Sequence, residues 1–387
     1  MEPIDPISAL HADMTAWRRH LHAHPETAFE EHDTAAFVAE RLTAFGLTVH
    51  RGLARTGVVG TLSTGEGPSV GLRADMDALP FAEANTFVHR STRPDKMHAC
   101  GHDGHTAMLL GAARHLAETR RFSGTVHFIF QPAEENEAGG KAMVEDGLFE
   151  RFPVDAVFGL HNWPGLAVGQ IAVREGPMMA ACDLFEIEVT GRGCHAAMPH
   201  LGTDAILAAA AIVTGLHTLV ARLVDPQDAA VVSITQMHGG QAWNAIPEQV
   251  ILRGTVRTFS RRVQDALEAA LGRTAEAIAA AHRCSARITY DRRYPATVNE
   301  AAATERAARA AALAVGEDHV VRDPTPSMGS EDFAFMLHAR PGCYVWLGNG
   351  PSDGGRVLHN PRYDFNDAAL PVGTRYWVKL VESELAA

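Results

Sequence analysis

Four short β-rich runs, with helical patterns between some of them, limit the folds open to this chain of 387 residues. The runs are residues 57–62, 70–75, 125–130 and 156–160. Residues 105–118 and 140–146 carry helical spacing. Strands interleaved with helices predict an α/β sheet covered on both faces. Upstream, Asp5-Pro6 predicts a helix that starts there and runs towards His24-Pro25. A second helix is predicted over residues 30–45, with Gly46 as its stop.

The pattern changes near residue 182. Residues 184–189 alternate, with Phe185, Ile187 and Val189 on one side and Glu186 and Glu188 on the other. That is a half-exposed strand, as in an antiparallel sheet. A helix (203–224), two strands (230–237 and 249–259), a helix (261–281) and a strand (285–290) follow. The order βαββαβ predicts an α+β unit, a sheet on one side and two helices on the other. From about residue 295 the helix/strand alternation resumes. The expected organisation is a discontinuous α/β domain of residues 1–181 and 294–387 with residues 182–293 inserted in it.

Composition excludes several function classes. Lys and Arg total 34 against 46 Asp and Glu, a net charge of −12. So acidic a chain is a poor binder of polyanions, so nucleic acid and anionic membrane are not expected partners. Residues 1–6 lack a basic region and an apolar core, which predicts no signal peptide. The most apolar stretch, 205–221, is interrupted by Thr214, Gly215, His217 and Thr218, and reads as a packed helix rather than a membrane span. Five scattered Cys argue against a disulfide scaffold and for a reducing cytoplasm. The 21 His invite metal or acid–base chemistry, but the count does not say which of them matter.

The densest chemistry is Met97-His98-Ala99-Cys100-Gly101-His102-Asp103-Gly104-His105. Cys100 and His102 are two apart, so on an extended stretch both leave the same face. Thiolate and imidazole suit zinc and its neighbours, and Gly101 and Gly104 let the backbone turn close to an ion. The alternative is a polar loop with Asp103 capping a helix. A second cluster, Glu134 and Glu135, follows the run 125–130. Adjacent carboxylates repel; one as a metal ligand and its neighbour as general base would resolve this. Taken alone, the pair also reads as a solvated loop. His161 lies just past the run 156–160, and His359 far downstream. Two of these clusters fall at strand carboxyl ends, where open α/β sheets build their sites.

A competing signal is Gly67-Pro68-Ser69-Val70-Gly71, which matches G-x-S-x-G, with His238-Gly239-Gly240 like part of an oxyanion-hole motif. A nucleophile elbow needs strand, Ser, then helix. Here a strand follows Ser69, which argues against a serine hydrolase.

In this order, the clusters resemble the aminoacylase/carboxypeptidase-type di-metal peptidases, and most of all their amidohydrolase branch of hippurate hydrolases, N-acyl-L-amino-acid amidohydrolases and indole-acetyl-amino-acid hydrolases. The matching stretches are residues 17–26, 71–80, 97–105, 131–135, 191–200, 244–247, 328–333 and 359–361. The resemblance implies a di-metal exopeptidase-like domain carrying an inserted lid or dimerisation domain. It implies hydrolysis of N-acyl amino acids, with hippurate-, acetyl- and indole-acetyl-type substrates all open. N-acetyl-diaminopimelate deacetylase and metallo-carboxypeptidase or dipeptidase activities of the same family are the alternatives. A catalytically dead binding module is disfavoured because every cluster residue keeps a ligating or ionisable side chain.

By the same resemblance Cys100 bridges two divalent cations, zinc first, with Mn, Co or Ni able to serve. His102, His161, Glu135 and His359 complete the shells, and Glu134 is the general base. Arg73 stands where the wider superfamily has a His ligand, so that position is lost and His102 takes its place. His195 and Asn244 would reach the oxyanion or acyl group, in family members often from the partner subunit of a homodimer. Arg257 is a candidate clamp for the substrate carboxylate, or else a strand Arg paired with Glu248 or Asp265. Gly329 and Ser330 would line the pocket. His105 is a candidate to orient a ligand.

Overall fold

The structure, a computed structural model, describes residues 6–135 and 137–386. The chain divides into two compact units. One comprises Met1–Met178, Val298–Thr325 and Asp332–Ala387; the other comprises Met179–Thr297 and Pro326–Glu331. The segment 326–331, with Gly329 and Ser330, therefore groups with the smaller unit rather than with the 294–387 stretch it was expected to follow.

The larger unit is built on an eight-stranded mixed sheet. Its spatial order is Thr48–Leu53, Gly57–Ser63, Thr125–Gln131, Ser69–Asp75, Ala156–Trp163, Gly342–Gly348, Ile171–Val173, Val320–Arg322. Thr125–Gln131, Ser69–Asp75, Ala156–Trp163 and Gly342–Gly348 are mutually parallel neighbours, with Asp75 opposite Gln131 and Trp346 opposite His161. Parallel strands must be covered on both faces. These are: Leu72, Phe128, Phe130, Phe158, Val345 and Leu347 are all fully buried. Each such side chain stabilises the fold by roughly 1.5–3 kcal/mol. The helix His102–Thr119 crosses over between Ser69–Asp75 and Thr125–Gln131. That crossover sets its N-terminus beside the carboxyl ends of the parallel strands.

Helix starts depend on capping that local pattern did not predict. The first helical stretch is broken at Leu10 into Pro6–Ala9 and His11–Ala23; Asp5, its expected cap, lies outside the described residues. His32–Ala44 starts two residues later than expected because the Glu26 carboxylate accepts the Asp33 and Thr34 N–H groups, at 3.2 and 2.8 Å.

The smaller unit has an antiparallel four-stranded sheet, in the order Ala230–Gly239, Gln249–Thr258, Ala181–Thr190, Ser285–Tyr294. Its helices are Ala205–Leu216, Thr218–Leu223 and Arg261–Ala281. The predicted alternation holds: Phe185, Ile187 and Val189 are buried, and Glu186 and Glu188 pair with Arg253 and Arg287. The helix expected over 203–224 starts at Ala205, because Asp204 Oδ1 accepts the Ile206 and Leu207 N–H groups, and it is divided at His217. Among the described residues no helix is long and apolar enough to cross a membrane, and all five Cys are free.

Candidate metal centre

Three adjacent parallel strands end at one edge of the large sheet, and the candidate groups gather there. Ser69–Asp75 ends on Asp75, and Thr125–Gln131 leads into Glu134 and Glu135. Ala156–Trp163 carries His161, which lies within the strand rather than past it.

Gly101 turns the chain into the helix His102–Thr119 with φ +90°. A Cβ there would stand 2.3 Å from Asn162 Nδ2 and 2.5 Å from the Tyr363 hydroxyl, so only Gly fits. Gly104 has a different role: it leaves room for the Phe365 ring rather than for an ion. The turn sets Cys100 Sγ 3.4 Å from His161 Nε2. His161 Nδ1 donates to Asn162 O at 2.7 Å, which leaves its Nε2 lone pair facing the thiol. His102 Nδ1 donates to Asp77 O at 2.9 Å, and its buried Nε2 has no hydrogen-bond partner among the described residues. An imidazole held through one nitrogen with the other bare is the state a metal requires.

The loop bearing the two carboxylates is held from both sides. Ala133 adopts φ +54° while its N–H donates to Glu31 Oε1 at 2.9 Å. The Glu135 N–H donates to Asp77 Oδ2 at 2.9 Å. Glu134, buried, accepts from the Asp332 N–H at 3.4 Å. His359 is tied down by its own N–H to Ala99 O, 2.8 Å, at φ +62°. Its Nε2 lies 3.0 Å from Glu135 Oε1, a buried oxygen without hydrogen-bond geometry to any described group.

Ligand-type atoms lie within 4.8 Å of one another in Cys100, Glu135 and His359, in His102, Glu134 and Glu135, and in Asp75, His102, His105 and His161. The first two groups share Glu135. The electrostatics ask for cations. Burial, with Glu135, Glu134 and Asp75 close by, pushes the Cys100 thiol well above its usual range. Burial opposes charge on His102, yet Asp75, Asp77 and Glu135 carry its pKa up to about 10. Burial also disfavours ionised Asp75, but His102, His105 and Arg73 together hold it well below the ordinary carboxylate range.

Sequence reasoning missed Asp75 and Asp77. Two carboxylates two residues apart at a strand end carry no spacing signal of their own. Arg73, read as a lost ligand position, is buried: it pairs with Asp75 at 2.7 Å and with Asp332 at 2.9 Å. His105 donates to Asp75 Oδ1 at 2.6 Å and accepts the Asn162 N–H at 2.9 Å, so both ring nitrogens are committed. Ser69 opens its strand at the opposite end from Asp75, and its hydroxyl donates to Pro153 O at 2.8 Å. No helix follows it, so the nucleophile elbow is absent.

The remaining predicted residues lie in the smaller unit. His195 is exposed and stands opposite Ala245 on a two-stranded ribbon. Its Nδ1 accepts the Ala197 N–H at 3.1 Å, which puts the ring proton on Nε2. Asn244, also exposed, accepts the Ala196 N–H at 2.9 Å. Arg257 and Ser330 both adjoin Cys182, the first as its strand partner and the second by a side-chain hydrogen bond. Arg257 does not pair with Glu248 or Asp265: its Nη1 donates to Thr255 Oγ1 and Val256 O, and Asp265 is taken by Arg261 and Arg292. The Gly329 carbonyl accepts the Ala180 N–H at 2.9 Å.

The large-sheet geometry has close relatives of known structure. A Bacillus subtilis protein, YXEP, described as a dinuclear metal binding peptidase, is 36% identical and superposes with a TM-score of 0.85 over 96% of this chain and 97% of that one. Among curated proteins, the hippurate hydrolase of Campylobacter jejuni is 39% identical over 98% of both chains. The N-acyl-L-amino acid amidohydrolase of Geobacillus stearothermophilus is 44% identical over 76% of this chain and 80% of that one. The family model for peptidase family M20/M25/M40 matches residues 71–383. The chain belongs to that family.

Proposed function

We propose that the chain hydrolyses N-acyl amino acids to a carboxylate and a free amino acid, with two divalent cations held by Cys100, His102, Glu135, His161 and His359. The observation that carries this reading is that His102, Glu134 and Glu135 bring ligand-type atoms within 4.8 Å of one another, with the buried His102 Nε2 lacking a hydrogen-bond partner among the described residues. Cys100 lies against His161 on one side and groups with Glu135 and His359 on the other, which suits a bridging thiolate. When bound, such cations polarise the amide carbonyl and lower the pKa of the attacking water. Glu134 takes that water's proton and passes it to the leaving amine. His195 Nε2–H and the Asn244 amide would donate to the developing oxyanion or to the acyl group, from the same chain or from a second copy of it. Arg257 receives the substrate carboxylate, and Gly329 and Ser330 line its pocket. A thiolate among imidazoles and carboxylates favours zinc, with Mn, Co and Ni accepted. Free cysteines suit a cytoplasmic enzyme.

The names of the hippurate hydrolase and amidohydrolase relatives support the substrate class. The test is a panel of benzoyl-, acetyl- and indole-acetyl-amino acids, N-acetyl-diaminopimelate and dipeptides, run after reconstitution with each metal in turn. Hydrolysis of at least one N-acyl amino acid, in preference to dipeptides, is expected. Turnover of dipeptides alone would transfer the assignment to a peptidase.

A homodimer or higher homo-oligomer through the smaller unit completes the reading. Among the described residues its edge strand Ala230–Gly239 pairs on one side only, and Met237 on that strand and Trp243 just after it are exposed. Open edges and exposed apolar side chains are what a second copy covers. Light scattering is expected to return at least twice the chain mass; a single-chain mass at micromolar concentration would overturn the oligomer.

A further inference from the structure

The helix His11–Ala23 carries two buried cation-forming groups that the proposed reaction does not use. Arg18 and His22 are four residues apart, so they share one helix face, and both side chains are fully buried. Arg18 Nε donates to Asp103 Oδ2 at 3.0 Å, and Arg18 Nη2 pairs with Asp364. His22 Nδ1 donates to the same Asp103 oxygen at 2.9 Å, and its Nε2 lies 3.2 Å from Glu83 Oε1.

These three carboxylates sit on the segments that carry Cys100 and His102, His359, and Asp77. Asp103 directly follows His102. Asp364 lies five residues past His359. Glu83 lies six residues past Asp77, which holds His102 and Glu135. The last two segments are also joined directly. The Ala84 N–H donates to Pro361 O at 2.8 Å, and Asn85 Nδ2 donates both to Glu83 Oε1 and to Tyr363 O, each at 2.9 Å. Burial disfavours a charge on His22, but Asp103 and Glu83 push its pKa up to about 9, so it is an imidazolium at neutral pH.

We infer that Arg18 and His22 form a two-cation latch that fixes the segments bearing His102, Asp77 and His359 at metal-binding spacing. They are positioning residues, and the inference rests on the reading of Cys100, His102 and His359 as ligands. The segments are remote in sequence; backbone contacts already join them near the ligands, Leu79 with Met97 and His359 with Ala99, and Arg18 and His22 add side-chain ties that reach Asp103, Glu83 and Asp364 together. The latch reaches all of them from one helix face, and a buried charge pair broken on one side leaves an uncompensated charge.

The test measures Zn(II) affinity by chelator competition, together with metal stoichiometry and melting temperature with and without Zn(II). Wild type is compared with Arg18→Gln, His22→Gln and, as a surface control, Arg114→Gln, which removes an exposed pair with Asp13 and Glu118. Both latch variants are expected to bind Zn(II) about 10–100-fold more weakly and to lose part of the Zn(II)-induced rise in melting temperature. The control keeps wild-type affinity. If Arg18→Gln does not fold, His22→Gln decides. Latch variants that melt lower but bind Zn(II) as wild type does would show a structural role only and overturn the inference. No Zn(II) uptake by wild type would instead overturn the metal-centre reading, and the latch with it.

Discussion

Glu134→Gln is expected to lower kcat by about 10²–10⁴-fold while the bound divalent cation stays at wild-type stoichiometry. The substitution keeps shape and an acceptor oxygen, so the contact from the Asp332 N–H at 3.4 Å survives. It removes the one property the reaction needs, a group that takes a proton from water and returns it to the amine. Glu134 sits in a pocket crowded with carboxylate, so loss of its charge relieves repulsion from Glu135. The fold is therefore expected to remain as stable as wild type or slightly more so. Glu135 is a poor substitute base: its backbone N–H is pinned to Asp77 and its carboxylate faces His359. Steady-state kinetics on a hydrolysed N-acyl amino acid, with metal analysis of the same preparation, check this. Full turnover in Glu134→Gln would remove Glu134 as the base.

The parts of the site that were legible in the sequence share a physical cause. Glu134, Glu135 and His161 follow or end apolar strands, and Cys100 and His102 flank a Gly that begins a helix. Strand ends and glycine turns leave marks in sequence because they are local. His102 and His105 could not be told apart that way. Both ride the same helix turn, and only their partners, Asp77 O for one and Asp75 with Asn162 for the other, leave one nitrogen bare and commit both of the other's. Asp75, Asp77 and Glu31 act through groups 25 to 102 residues away, which no local pattern encodes. The fold shows the same division. The buried central strands and the alternating strand Ala181–Thr190 were readable. The three-residue strands Ile171–Val173 and Val320–Arg322 were not, because they hold too few residues for any period to show.

Exhaustive chelation is expected to abolish turnover, and re-addition of Zn(II), Mn(II) or Co(II) to restore it. Cys100→Ala is expected to lose metal affinity by at least about tenfold while still folding. The argument starts from the metal-free pocket, where Asp75, Glu134 and Glu135 crowd a thiol that burial and those carboxylates keep protonated. Three carboxylates crowded into one pocket repel one another, and Arg73 pairs with Asp75. Divalent charge relieves that repulsion and allows the thiol to ionise, so binding and folding are linked. At a free cation concentration one hundred times Kd the linkage is worth about 2.7 kcal/mol of stability. A fall in melting temperature on chelation, reversed by the same metals that restore turnover, therefore belongs to the same expectation. Cys100→Ala separates the thiol from the carboxylates. It leaves the surrounding acidic groups in place, so cation is still attracted, but the atom that reaches both His161 and the Glu135–His359 side is gone. The variant is expected to retain wild-type circular dichroism, because Cys100 is small and its backbone is held by the Asn162 side chain at 2.6 Å from its carbonyl. Undiminished hydrolysis by protein shown to be free of metal would sink the metal requirement. Wild-type metal affinity in Cys100→Ala would sink the bridging role of the thiol alone and leave the rest of the centre standing.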